Sequence, residues 1–330
     1  VMKIDAWIRE GLDRAVEDAR LSEEIGFDGA WNSEAKSDAF LGLVLAAEHT
    51  QRIQLGSSIA VAFSRSPMNV AYQAMDLQRY SQGRFVLGLG PQIRPHIEDR
   101  FSMTWSKPAA RMKDFVAALR SIWHSWATGE KLDHRGEFYR HTLMTPNFVP
   151  PAVPDSAPKI YLAGVGPKML RVAAEAADGL FVHPFLTERY LHDVLLPTVA
   201  AHRLEDDAPL ELALSPFVAL DENDFEAVRT KMSFYGSTPA YRPVLEAHGW
   251  GDLQTDLNAL SKQNRWGEMP ALITDDMVYT MCSVGDEKQV AADLKRRYDG
   301  VVQRIRFNRP GDQVGPVRFA GLVDALRAVE

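Results

Sequence analysis

Phe85-Val86-Leu87-Gly88-Leu89-Gly90 is six residues without a polar side chain, with Gly83 just before it and Pro91 directly after. Its length suits a strand. Its lack of alternation implies burial on both faces, as a parallel strand between other layers requires. Working outward from it, the chain repeats one rhythm. Upstream, Ser66-Pro67 reads as a helix start, a capping side chain followed by proline at the first helical position, and that helix runs to about Ser81. Before it come a strand at Ile53 to Val61, a helix marked by Phe40, Leu43, Val44 and Ala47, and a strand at Phe27 to Trp31. A helix carrying Leu12, Ala15, Val16, Ala19 and Ile25 stops at Gly26, and Met2, Ile4, Ala6 and Ile8 form one face of a first strand.

Downstream the rhythm pauses over residues 91–158, a polar loop, one long helix (Phe115, Ala118, Leu119, Ile122, Trp123, Trp126) and a proline-rich stretch from Pro146 to Pro158. It resumes with a strand at Ile160 to Ala163, a helix at Pro167 to Ala177, a strand at Leu180 to His183, a helix near 188–201 and a strand at Leu210 to Leu220. A second insertion, about 222–275, reads as polar and loop-rich. A helix from Asp286, a strand at Val301 to Phe307 and a last helix with Phe319, Leu322, Val323 and Leu326 complete the chain. Eight strands alternating with helices predict a (β/α)8 TIM barrel with insertions after strands 4 and 7, in a single domain; a doubly wound sheet is the competing arrangement.

Composition narrows the function. The 330 residues carry 37 Lys+Arg against 44 Asp+Glu, a net charge of −7, so nucleic acid is not an expected partner. No apolar run approaches the roughly 18 residues of a membrane helix. Val1-Met2-Lys3-Ile4-Asp5 reads as strand alternation rather than a signal peptide, and the expected location is cytoplasmic. One cysteine, Cys282, makes neither an internal disulfide nor a thiolate metal site, and the nine histidines show no compact ligand spacing, so no metal is expected. The Gly-x-Ser-x-Gly elbow and the Gly-x-x-x-x-Gly-Lys-Ser/Thr loop are both missing.

A barrel gathers its chemistry where strands end. Strand 5 ends in Gly164-Val165-Gly166-Pro167-Lys168, two glycines before a proline-started helix; such a turn either binds phosphate through free N–H groups and the Lys168 charge or is a plain βα turn. A Rossmann reading fails because Met169 stands where the third glycine belongs. Glu34, after strand 2, can act as acid or base, or instead pair with Lys36 or Arg65. His96 and His183 titrate in a useful range, and Gln92 closes strand 4. Cys282, among apolar residues, reads as packing.

Several stretches together resemble the bacterial luciferase-like superfamily. They are Ile25-Gly26-Phe27-Asp28-Gly29-Ala30-Trp31 with Glu34, Ile53-Gln54-Leu55-Gly56-Ser57-Ser58-Ile59, Pro67 to Ala71, Ser81-Gln82-Gly83-Arg84-Phe85 leading into Leu87 to Gly90, Gly166-Pro167, and Ala177-Asp178-Gly179. Within it the chain is most similar to the deazaflavin (coenzyme F420)-dependent oxidoreductases. Ala62-Phe63-Ser64-Arg65-Ser66-Pro67-Met68-Asn69 and His141-Thr142-Leu143-Met144-Thr145-Pro146 resemble an actinobacterial subgroup. The resemblance implies a barrel, commonly a homodimer, with F420 or FMN over its mouth. It implies a non-proline cis peptide at Ser58-Ile59 behind the ring, and cofactor phosphate on Gly164-Val165-Gly166. It also implies a departure: alcohol and sugar-phosphate dehydrogenases of the family carry Asp-His after strand 2, and this chain has Glu34-Ala35. That leaves Glu34 or His96 to handle the proton, with His96 near a cofactor-contacting Asn of relatives. The implied activity is hydride transfer to or from a small organic substrate, as a reductase. An FMN-dependent monooxygenase and a flavin-binding barrel without turnover are the alternatives.

Overall fold

The computed structural model describes residues 2–151, 156–204, 208–307 and 315–329; residues 152–155 of the proline-rich stretch lie outside these. Eight parallel strands close into a barrel: β1 (Lys3–Trp7), β2 (Gly29–Asn32), β3 (Gln54–Ser57, continued by Ala60–Val61), β4 (Phe85–Gly90), β5 (Lys159–Ala163), β6 (Gly179–Val182), β7 (Glu211–Leu214) and β8 (Arg304–Arg306). Each strand pairs with the next in sequence, and β8 returns to β1 with Lys3 opposite Arg304 and Asp5 opposite Arg306. The doubly wound alternative is thereby excluded.

Closure splits the apolar residues into two populations. Phe85, Leu87 and Leu89 of β4 join the large core between strands and helices. Val86 points inward to a small cluster with Trp31, Tyr161, Phe181 and Ala213. Gly88 shares that inward face by strand alternation. A Cβ there would stand 2.5 Å from the Phe181 ring and collide with the Ser57 carbonyl, so only glycine lets these neighbours approach. Both faces of β4 are buried for this reason.

The helices begin and end where local chemistry places them. α1 (Leu12–Ile25) stops at Gly26, whose φ of 96° is the left-handed conformation a helix C-terminus favours. α2 (Leu41–Glu48) packs against α1, and α3 (Pro67–Tyr80) starts with Ser66 Oγ accepting the Asn69 N–H. The helix Glu287–Tyr298 has a full capping box from Asp286 and Gln289. α4 (Pro108–Thr128) stands between α3 and α5 (Pro167–Ala176), and Trp123 and Trp126 are buried on its inner face.

Two expectations need correction. The stretch expected as one strand from Leu210 to Leu220 is two, because Ser215-Pro216 separates β7 from Phe217–Ala219, which leaves the barrel to pair with Cys282–Val284. Residues 222–275 are largely helical, with helices at Glu222–Gly236, Arg242–Glu246 and Gly251–Lys262; their exposed polar faces concealed a helical period. Among the described residues, no helix is long and apolar enough to cross a membrane.

Candidate active site

The strand ends form the mouth of the barrel, and its floor is charged. Beneath it lies a wholly buried ion pair: Arg304 Nε and Nη2 each donate to Asp5 at 2.7 Å, Nη1 donates to Gln54 at 2.6 Å, and Trp31 Nε1 donates to Asp5 at 2.9 Å. Tyr161 donates to Glu211, which Lys159 also holds. One level higher, Arg306 lies 4.5 Å from the Phe181 ring centre and 5.1 Å from that of Trp7. It donates to Ser215 at 3.1 Å and to Ser58.

The peptide Ser58–Ile59 is cis, as the resemblance implies, and it is the point where β3 breaks and restarts. Glu34 secures the restart. Its Oε2 accepts the Val61 N–H and Arg65 Nη1, both at 2.7 Å, while Arg65 Nη2 reaches Asp38 at 3.0 Å. Of the two lysine or arginine partners considered for Glu34, Arg65 is the one it takes, in a pair only 7% and 14% exposed at the side chains. We expect Glu34→Gln, which keeps an acceptor for Val61 but loses the charge facing Arg65, to cost about 1–2 kcal/mol in a urea titration. An unchanged midpoint would show that the bulge holds without the pair.

The bulge is continuous with the strand 5 turn. A Cβ on Gly90 would meet Ile59 at 2.9 Å and Ala163 at 3.6 Å, so Ile59, Gly90 and Ala163 lie side by side and lead to Gly164. Gly164 packs on Met169, where a Cβ would come within 2.5 Å, whereas Gly166 faces open space. α5 starts with no side-chain cap. Pro167 has no N–H, and Met169 and Leu170 already donate to the Gly166 carbonyl at 2.9 and 3.0 Å. Among the described residues that leaves the N–H groups of Gly166 and Lys168 without an acceptor, with Val165 half-buried beside them and the Lys168 side chain exposed. Such a turn accommodates a phosphate.

The remaining candidates lie apart from this line. His96 is exposed on a π-turn, His96–Arg100, tied to the loop after β2 by Arg100 donating to the Ala35 carbonyl at 2.5 Å. Gln92 adopts a φ of 60° and accepts the Ile93 N–H at 3.1 Å. His183 continues β6 beyond Phe181. It stacks on Tyr241 at 4.4 Å, meets Tyr235 edge-on at 4.5 Å, and accepts the Phe185 N–H on Nδ1 at 3.1 Å. Burial, with repulsion from Lys231, pushes its pKa down to about 3, so its ring is neutral and carries its proton on Nε2. Cys282 is buried and its thiol is pushed up by burial, consistent with packing. Sequence reading missed Arg306, although the alternation Arg304-Ile305-Arg306 inside a strand was the available signal: two charges on the face opposite an isoleucine.

The fold is a (β/α)8 barrel whose candidate groups gather at the strand ends. The profile of the luciferase-like monooxygenase family matches residues 4–304, and the chain belongs to that family. A Mycobacterium tuberculosis protein of unassigned function is 48% identical over 313 residues, 92% of each chain. The 5,10-methylenetetrahydromethanopterin reductase of Archaeoglobus fulgidus is 28% identical over 90% of this chain and 89% of its own. Among solved structures, the coenzyme F420-dependent tetrahydromethanopterin reductase of Methanopyrus kandleri superposes with a TM-score of 0.74 at 19% identity, covering 98% and 96% of the two chains. The FMN complex of the oxygenating constituent of 3,6-diketocamphane monooxygenase from Pseudomonas putida gives 0.68 at 16%, covering 100% of both. These likenesses to solved structures concern the fold. Family membership makes the chain a luciferase-like oxidoreductase.

Proposed function

We propose that the chain is a coenzyme F420-dependent reductase acting on a small organic substrate with an activated double bond. The observation that carries this reading is the row Ile59, Gly90 and Ala163, which runs along the strand ends into the uncapped turn at Gly166 and Lys168 and fits a ring at one end and a phosphate at the other. The deazaflavin, when bound, supplies the hydride. The chain supplies position and charge: Gly166 and Lys168 hold the phosphate, Ser58 and Ile59 back the ring, and Trp7 and Phe181 exclude water below it. Glu34 or His96 handles the proton: Oε1 of Glu34 makes no hydrogen bond among the described residues, while Oε2 is committed to the bulge, and His96 is exposed. The loop at 91–107, ahead of the barrel helix α4, and the segment 222–275 wall the substrate side. A Mycobacterium tuberculosis relative, 26% identical and named a putative coenzyme F420-dependent oxidoreductase, and the F420-dependent reductase of Methanopyrus favour F420; the FMN complex of the diketocamphane monooxygenase makes FMN the second reading. The test is to mix the protein separately with F420 and with FMN and pass each mixture through a desalting column. Co-elution of F420 is expected; retention of FMN alone overturns the deazaflavin assignment.

A further inference from the structure

Among the described residues, Asp5, Asp18, Asp224, Arg304 and Arg306 are the buried charged side chains. Asp5 and Arg304 pair with each other, Asp18 pairs with Arg9 and Asp224 with Arg318. Arg306, 6% exposed, has only neutral hydrogen-bond partners, the hydroxyls of Ser58 and Ser215. Those two serines lie just past β3 and β7, which stand opposite each other in an eight-strand ring, so the guanidinium crosses the barrel axis directly under the mouth. The guanidinium lies against the Trp7 and Phe181 rings, and its second terminal nitrogen, Nη2, makes no hydrogen bond among the described residues. Burial lowers its pKa to about 9, with Asp5 raising it and Arg304 lowering it further, and it stays charged at neutral pH. A desolvated cation whose nearest carboxylate is already committed to another arginine is costly, and such groups concentrate at functional sites where a ligand can supply charge.

We propose that Arg306 is the counter-charge for the cofactor ring, with Nη2 turned toward the ring edge, so that the protein binds the reduced ring more tightly than the oxidised one. This rests on the flavin or deazaflavin reading above. A hydride brings two electrons and one proton, so its arrival adds one negative charge to the ring, and the cation below favours that state. Ser58 thereby has two tasks, shaping the bulge and orienting the guanidinium.

The experiment compares wild type, Arg306→Lys and Arg306→Met, each loaded with F420 and with FMN. Dissociation constants are measured for the oxidised and the reduced cofactor, together with the midpoint potential of the bound form. In wild type the bound potential should lie above that of the free cofactor. Arg306→Met should lose at least about tenfold in the preference for the reduced form, equivalent to a fall of about 30 mV for a two-electron couple, and Arg306→Lys should restore most of it. A wild-type potential equal to that of free cofactor overturns the proposal even if the methionine variant does not fold. Tight binding with the same potential in wild type and Arg306→Met overturns the Arg306 assignment alone. If wild type binds neither cofactor, the functional reading fails and the assignment falls with it.

Discussion

Asp5→Ala is expected to destabilise the protein by about 3–5 kcal/mol, because it strands a buried cation. Asp5 accepts two hydrogen bonds from Arg304 and one from Trp31, and both charged side chains are fully inaccessible. Nothing can relax to replace the carboxylate. Gly29 leaves no slack beside it, since even a Cβ there would stand 2.5 Å from Arg304 Nη2 and 2.6 Å from Asp5 Oδ1. Removing both charges is a different matter. A double variant, Asp5→Leu with Arg304→Met, should recover much of the loss, because desolvating an ion pair consumes most of what its attraction returns. Urea unfolding of the single and double variants is the check. A single variant losing less than about 1 kcal/mol would mean that water reaches Arg304 and that the pair is not the closed unit described.

The second large effect concerns the strand 5 turn. Whichever cofactor the protein retains, the same ring system without its side-chain phosphate should bind at least about 100-fold more weakly. A hydrogen bond to a charged group contributes about 1.5–3 kcal/mol, and the two uncommitted N–H groups of Gly166 and Lys168 supply two of them. Their sum, about 3 kcal/mol or more, corresponds to about two decades in dissociation constant. The exposed Lys168 ammonium adds less, because water and salt screen it. Riboflavin against FMN, or the phosphate-free deazaflavin riboside against F420, makes the comparison by fluorescence titration. Equal affinities would show that the turn holds no phosphate.

Most of the fold was legible because its signals are local. Ser66 before Pro67, the helix start at Asp286, and Gly26 after a helical period are determined within one turn of chain, and the structure places helix ends at all three. The eight strands were legible for the same reason, except where Ser58-Ile59 interrupts β3 and where Ser215-Pro216 divides the stretch from Leu210 to Leu220. Helices in 222–275 were hidden because their burial is shared with other parts of the insertion and leaves a weak apolar stripe.

The site was legible only in outline. Ser58-Ile59 and Gly164 to Gly166 were singled out by likeness and by turn chemistry, and Ile59, Gly90 and Ala163 lie side by side between them. Glu34 was legible as a candidate but not its partner, since Lys36 and Arg65 are equally plausible along the chain; the fold selects Arg65, 31 residues away, by bringing the β3 restart over the loop after β2. His183 looked like any strand-end histidine until residues from the 222–275 segment, Tyr235 and Tyr241, closed around it.

By itself, then, the sequence determined the strand–helix units, most of their ends and the family, because spacing of two and of three to four residues and the capping contacts are interactions between near neighbours. Closure of the barrel decided the rest. It brings Asp5 to Arg304 across 299 positions and Ser58 to Arg306 across 248. Only that closure makes one arginine a neutralised pillar and leaves the next, two residues on, an unpaired cation under the mouth.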